Sequence, residues 1–176
     1  AHILAWTDAK PAHGVARGVE AAAREARYRL MGGWLAKKKI ATLFVGHTLD
    51  DQAETFLLRL ARGSGLDGLA AMRARAPWPV PGFESLSVRR PLLGIVRGEL
   101  RRYLTAIGQD WLDDPMNEDP AFDRVKMRRA AAALDAAGLS AVRIAAAAAH
   151  LARARVALEA VTQALLVRAT RPLDDG

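Results

Sequence analysis

The run Thr42-Leu-Phe-Val-Gly-His-Thr-Leu-Asp-Asp-Gln-Ala-Glu-Thr-Phe-Leu-Leu-Arg-Leu-Ala-Arg-Gly-Ser-Gly65 decides the fold. It begins as a short apolar stretch, residues 42–45, in which Phe44 and Val45 favour a buried strand. It turns at Gly46-His47 and then presents Asp50, Asp51 and Glu54 where a helix should start. Phe56, Leu57 and Leu60 give that helix an apolar face, and Gly63 supplies its stop. Strand, polar turn and acidic helix N-terminus form a unit of open α/β sheets, which bind ligands at the carboxyl ends of their strands. His47, Asp50 and Asp51 fall at that edge.

Composition narrows the classes. A chain of 176 residues, 51% hydrophobic, can bury the core of one domain with an appendage. The absence of cysteine excludes disulfides, thiolate zinc sites and a cysteine nucleophile, and it agrees with a cytoplasmic location. No apolar run approaches the roughly 18 residues that span a bilayer, so no membrane partner is expected. The opening Ala1-His-Ile-Leu-Ala-Trp6 runs into Asp8 and Lys10 and does not read as a signal peptide. A net charge of +7 suits a polyanionic partner, nucleic acid first, as well as it suits solvated Arg-bearing helix faces. The first residue is not Met, as in a piece of a longer protein.

Outward from the central run, residues 3–6 read as a short strand and residues 7–18 as a loop. A helix follows over residues 19–38, with Val19, Ala23, Ala26, Leu30 and Trp34 on one face. Arg24 and Arg27 lie three apart and can converge on one ligand; on spacing alone, pairing with Glu20 and Glu25 or solvation is the better explanation. Residues 73–84, with three prolines, read as a loop, and residues 86–88 as a strand. A helix over 97–107 buries Leu100, Leu104 and Ile107. Trp111 ends a short strand, and the acidic residues 110–123 form a loop. The next helix, over 122–136, carries Arg124, Lys126, Arg128 and Arg129. Gly138 stops it and Ser140 caps another that runs unbroken to about residue 170. Thirty helical residues extend about 45 Å, and such a helix needs a partner: another helix, another domain or a second copy of the chain.

The acidic cluster has two explanations. Asp51-Gln-Ala-Glu54 has the spacing of a capping box, and acids in a first turn suit the helix dipole. Three carboxylates and a His at the end of a buried strand exceed what capping needs. Asp51 and Glu54 share a helix face, and such oxygens suit Mg²⁺, which takes one or two protein carboxylates and completes its shell with water and phosphate. His47 is placed to donate to a phosphate or a developing oxyanion.

His47-Thr-Leu-Asp-Asp-Gln-Ala-Glu-Thr55, followed by Leu57-Leu-Arg-Leu60 and Arg62-Gly-Ser-Gly65, closely resembles the signature of bacterial tRNA(Ile)-lysidine synthetases, a family of PP-loop ATPases. Ala22-Ala-Arg-Glu-Ala-Arg-Tyr28, Arg90-Pro-Leu-Leu93 and Trp111-Leu-Asp-Asp-Pro-Met-Asn117-Glu-Asp119, with Phe122 and Arg124, extend the resemblance over residues 3–129. The resemblance implies a partial adenine-nucleotide α-hydrolase-like fold: a Rossmann-like parallel sheet with flanking helices over residues 1–137, and a long helix or linker over 138–176. It implies ATP-dependent adenylation of the wobble cytidine of tRNA(Ile), then displacement of AMP by the ε-amine of L-lysine. Asp51 and Glu54 would hold Mg²⁺ or the lysine ammonium. His47, Arg27 and Arg124 would join them in catalysis. Asp50 and Arg24 would bear on the nucleotide, and Asn117, Arg128 and Arg62 on the tRNA. A homodimer is a further expectation.

The sequence also departs from that family. The Ser-Gly-Gly-x-Asp-Ser loop that cradles ATP pyrophosphate is absent; Gly63-Ser-Gly65 follows the acidic helix instead of the first strand. Thr48 replaces a second His, and Arg124-Val-Lys-Met-Arg128 replaces a segment richer in Asn and Arg. The expectation is therefore a truncated part of the enzyme, with the nucleotide loop upstream. The alternative is a non-catalytic remnant that binds tRNA or protein. The basic helices fit both, whereas the acidic cluster serves only the enzyme.

Overall fold

The computed structural model describes residues 2–7, 16–112 and 123–170. In chain order the elements are α1 (Ala16–Lys37), β1 (Thr42–Phe44), α2 (Leu49–Leu60), α3 (Leu66–Leu69), β2 (Arg75–Pro77), β3 (Ser87–Arg89), α4 (Arg97–Ala106), α5 (Asp123–Ala136) and α6 (Ala141–Ala169). They fall into two compact units, one of Ala1–Thr48 with Arg73–Lys126, the other of Leu49–Met72 with Met127–Gly176.

The first unit is built on a three-stranded sheet of order β1-β3-β2. β1 and β3 run parallel, with Leu43 opposite Val88, and the Thr42 and Ser87 hydroxyls meet at 3.2 Å. β2 lies antiparallel on the other side of β3. The sheet is thus mixed, where a parallel sheet was expected, and β2 falls in a stretch expected to be loop. Its prolines explain the misreading. Pro77 cannot donate to a ladder, and an edge strand is where a sheet tolerates it. Residues 2–7 form no strand, nor do residues 109–112 around Trp111, contrary to both expectations. A short apolar run does not reveal whether a strand partner exists.

Val88, 1% exposed, sits at the centre of the core with Tyr28, Leu35, Trp78, Val80 and Leu86. The most buried positions of α1 are Tyr28, Gly32 and Leu35, with Met31 and Trp34 packed against the core; of the expected face Trp34 joins the core, Ala23, Ala26 and Leu30 are half-buried, and the side chain of Val19 lies outside the described residues. A Cβ at Gly32 would lie 3.0 Å from Phe83 Cδ1 and 3.0 Å from Trp78 Nε1. Its bare backbone admits both rings, and Trp78 meets Tyr28 edge-on at 5.4 Å. Hydrophobic periodicity does not count a glycine as a core position, so it gives no weight to Gly32.

The second unit packs α2 and α3 against α6. Ile144 and Ala148 are buried along the first half of α6, whereas Leu158, Val161 and Leu165 farther on are exposed. α6 is thus packed along its first half. Ser140 caps it as expected, its hydroxyl accepting from the Arg143 N–H at 3.3 Å. Gly63 and Gly138 take left-handed φ values of 71° and 81°, the conformations that stop a helix. No single helix among the described residues is long and apolar enough to cross a membrane.

Candidate active site

α2 begins at Leu49, which places Thr48 at the capping position and Asp50 and Asp51 inside the first turn. The capping box expected at Asp51-Gln-Ala-Glu54 is therefore out of register: Asp51 is already the third helical residue. Asp50 and Asp51 still gain from the dipole at the helix N-terminus. Glu54, in the second turn, gains little from it, since the effect fades within the first turn. Yet Glu54 is only 8% exposed, and with Ala53 it is one of the two buried residues of α2. Burying a carboxylate is costly, so a Glu there requires more than helix capping to explain it. Asp51 is half-buried and shares a helix face with Glu54, three residues on.

Other polar side chains of α2 tie it to the segment that follows. Gln52 clamps the backbone of Met72: its Nε2 donates to the Met72 carbonyl at 3.0 Å, and its Oε1 accepts from the Met72 N–H at 2.8 Å. Arg59 Nη1 donates to the carbonyls of Gly68 at 2.7 Å and Ala71 at 3.1 Å, covering the acceptors at the end of α3. These contacts tie the segment after α2 back to the helix that carries Asp51 and Glu54.

His47 belongs to the first unit, three residues past β1, and is half-buried. His47, Asp50, Asp51 and Glu54 all interact with neighbouring groups. Arg24 and Arg27 are exposed on α1, the guanidinium of Arg24 lying 5.2 Å from the Tyr28 ring centroid. Among the described residues Glu25 pairs with Arg29, at 2.6 Å. Arg62 is exposed just beyond α2. Arg124 and Arg128 lie on α5, but their side chains, like all of Asn117, are outside the described residues. The model thus groups Asp50, Asp51 and Glu54 on one helix and Arg24 and Arg27 on another.

Among the described residues no three His, Asp or Glu side chains converge as a metal cage would need. The Asp51–Glu54 pair fits a less demanding ion. Mg²⁺ takes one or two protein carboxylates and keeps the rest of its shell for water and phosphate oxygens. Arg90, in the Arg90-Pro-Leu-Leu93 motif just past β3, is buried and is not among the expected site residues. A strand that ends in Arg-Pro was the available signal.

In chain order a short strand runs on into a helix with an acidic first turn, a local pattern of α/β proteins that handle nucleotides. The PP-loop domain model matches residues 2–133, and the chain belongs to that family. Its similarity to named proteins is more specific. It is 47% identical over 137 residues to a tRNA(Ile)-lysidine synthase of Ruegeria pomeroyi, a match covering 78% of this chain and 32% of that protein. It is 40% identical over 170 residues to a tRNA(Ile)-lysidine synthase of Methylobacterium nodulans, covering 97% of this chain and 48% of that protein. A tRNA(Ile)-lysidine synthase of Hyphomonas neptunium is 49% identical over 111 residues, covering 62% of this chain and 30% of that protein. The chain spans a third to a half of the length of these relatives.

Proposed function

We propose that this chain is the catalytic part of a tRNA(Ile)-lysidine synthase, an ATP-dependent carbon–nitrogen ligase acting on the wobble cytidine of tRNA(Ile). The observation that carries the reading is Glu54, a carboxylate buried beyond the reach of helix capping, on the same face as Asp51. The names of the relatives, tRNA(Ile)-lysidine synthases, support the tRNA and the product class.

The chemistry proceeds in two transfers. The cytidine O2 attacks the α-phosphorus of ATP and pyrophosphate leaves. The ε-amine of lysine then attacks C2, and AMP departs with the former O2. The first transfer builds negative charge on the α-phosphate and pyrophosphate, which cations must neutralise. Arg24 and Arg27 are the exposed guanidiniums proposed for that task, with Asp50 at the nucleotide edge; an Arg fork matches phosphate oxygens bidentately. Bound Mg²⁺ would add positive charge at the phosphates, held by Asp51 and Glu54. The same two carboxylates suit the ammonium end of lysine in the second transfer. His47 donates a hydrogen bond to the oxyanion. Arg124 is proposed to join them in catalysis, and Arg128, Asn117 and Arg62 to bear on the tRNA, whose phosphate backbone the net charge of +7 also favours. The ATP pyrophosphate loop is proposed to lie upstream of this sequence. A homodimer acting in the cytoplasm completes the proposal.

The test is incorporation of radiolabelled lysine into a tRNA(Ile) anticodon stem-loop, with ATP, by the full-length gene product. Label that appears only with ATP and only on a stem carrying the wobble cytidine supports the reading. Binding of the stem without incorporation would identify a non-catalytic tRNA-binding protein.

A further inference from the structure

A groove of about 620 Å³ lies within the second unit, between residues 65–68 on one side and Arg155, Leu158 and Glu159 of α6 on the other. Every described residue of α6 beyond Arg155 is exposed, yet Arg155 itself is only 7% exposed. Its Nε is buried and has no hydrogen-bond partner among the described residues. Its ion pair with Glu159, one turn on, is 3.6 Å long, beyond hydrogen-bond reach, and Glu159 also engages another group. Buried donors are rarely left idle, and a buried cation needs an anion closer than this one.

The other charged groups lining the groove have the opposite sign. Asp67 and Glu159 are exposed carboxylates, and Leu66 and Leu158 set aliphatic surface beside them. One guanidinium against two carboxylates leaves one negative charge in excess. An inorganic anion would satisfy Arg155 but face both carboxylates. A simple cation would suit the carboxylates and leave Arg155 as it stands. A ligand with one carboxylate, two ammonium groups and an aliphatic stem matches all of these groups. The volume suits a small molecule, and a few placed polar groups beside apolar surface are what small-molecule sites carry. The wall at residues 65–68 is held before any ligand arrives, because Arg59 Nη1 of α2 donates to the Gly68 carbonyl at 2.7 Å.

We propose that this groove binds a free basic α-amino acid. Its carboxylate meets Arg155, its two ammonium groups meet Asp67 and Glu159, and its methylene chain lies along Leu66 and Leu158. L-lysine carries this pattern of groups. The site is separate from the reaction proposed above: there Asp51 and Glu54 receive the ammonium of the lysine that reacts, whereas the groove takes a second molecule.

The experiment is calorimetric titration of the full-length protein carrying Asp51→Asn, so that binding at the acidic helix does not contribute. L-lysine should still bind saturably, one molecule per chain. Cadaverine lacks the carboxylate and should bind at least about tenfold more weakly, the loss of one charge-assisted hydrogen bond. Arg155→Met should weaken L-lysine by the same factor and abolish its preference over cadaverine. A merely structural role for Arg155 would weaken both ligands alike, and that result overturns the proposal. If Arg155→Met does not fold, the exposed Asp67→Asn and Glu159→Gln keep the test open: each should weaken L-lysine and cadaverine together, and unchanged affinities would overturn the assignment. So would the absence of saturable L-lysine binding up to about 10 mM, ten times a millimolar Kd. Inorganic phosphate binding in place of L-lysine would make the groove a plain anion site and likewise overturn it. Lysidine formation by the parent protein enters none of these readouts, so failure here leaves the proposed function standing.

Discussion

Gln52 offers a test of how the acidic helix is held. It lies between Asp51 and Ala53, yet its side chain points to structure: both of its polar ends are bonded to the backbone of Met72, at 3.0 and 2.8 Å. Gln52→Ala removes both bonds. Each is worth about 1 kcal/mol net, and leaving the part-buried Met72 N–H and carbonyl poorly satisfied adds a further desolvation cost. The total is about 2–3 kcal/mol. At roughly 2–4 °C per kcal/mol, the unfolding midpoint should fall by about 5–10 °C. Circular dichroism on heating measures this, and hydrogen exchange at the Met72 amide localises it. That amide should exchange about thirtyfold faster in the variant if its opening is governed by the local clamp. Gln52→Glu separates the two bonds. It keeps the acceptor for the Met72 N–H but sets a second oxygen against the Met72 carbonyl, so it should be destabilised at neutral pH and recover on acidification. A midpoint within about 2 °C of the parent for Gln52→Ala, with unchanged Met72 exchange, would refute the clamp.

Other consequences are local to single contacts. Gly68→Ala would set a Cβ 2.5 Å from Ser64 Cβ, so the loop after α2 must shift, at a cost of about 1–3 kcal/mol by chemical denaturation. Ser140→Ala removes the hydroxyl that caps α6 and should cost about 1 kcal/mol in the same assay. Glu84 is held below the usual carboxylate range, first by the Gly82 N–H and then by its own. A carboxylate with a depressed folded-state pKa stabilises the fold above its unfolded value of 4.5, and the contribution is lost as pH falls through the lower folded value. Glu84→Gln should therefore be less stable than the parent at pH 7, and the difference should shrink below pH 4.5 in paired thermal melts.

Local chemistry made much of the second unit legible. Gly63, Gly138 and Ser140 mark helix boundaries by properties of single residues, and the structure places all three where those properties require. The acidic helix was readable because its apolar spacing and its first-turn acids agree. What escaped depends on partners distant in sequence. β2 is a strand only because β3 comes alongside it, and Trp78 and Val80 are core residues within a proline-rich stretch. The inward face of α1 is set by rings from residues 78 and 83 reaching Gly32, which no helical pattern of α1 contains. The acidic cluster was recognised, but its capping register was misassigned by three residues, and the burial of Glu54 emerges only from packing.

The central claim is that Asp51 and Glu54 serve catalysis and not merely the start of α2. The most direct measurement is lysidine formation on tRNA(Ile) by the full-length protein and by its Asp51→Asn and Glu54→Gln variants, each with its unfolding midpoint. Both substitutions keep the shape of the side chain and remove its charge. The account predicts a loss of at least about a hundredfold in turnover for each, comparable to removing a group that stabilises charge in the transition state, with midpoints close to the parent. Variants that retain turnover within a few-fold would contradict it and return the two carboxylates to a structural role.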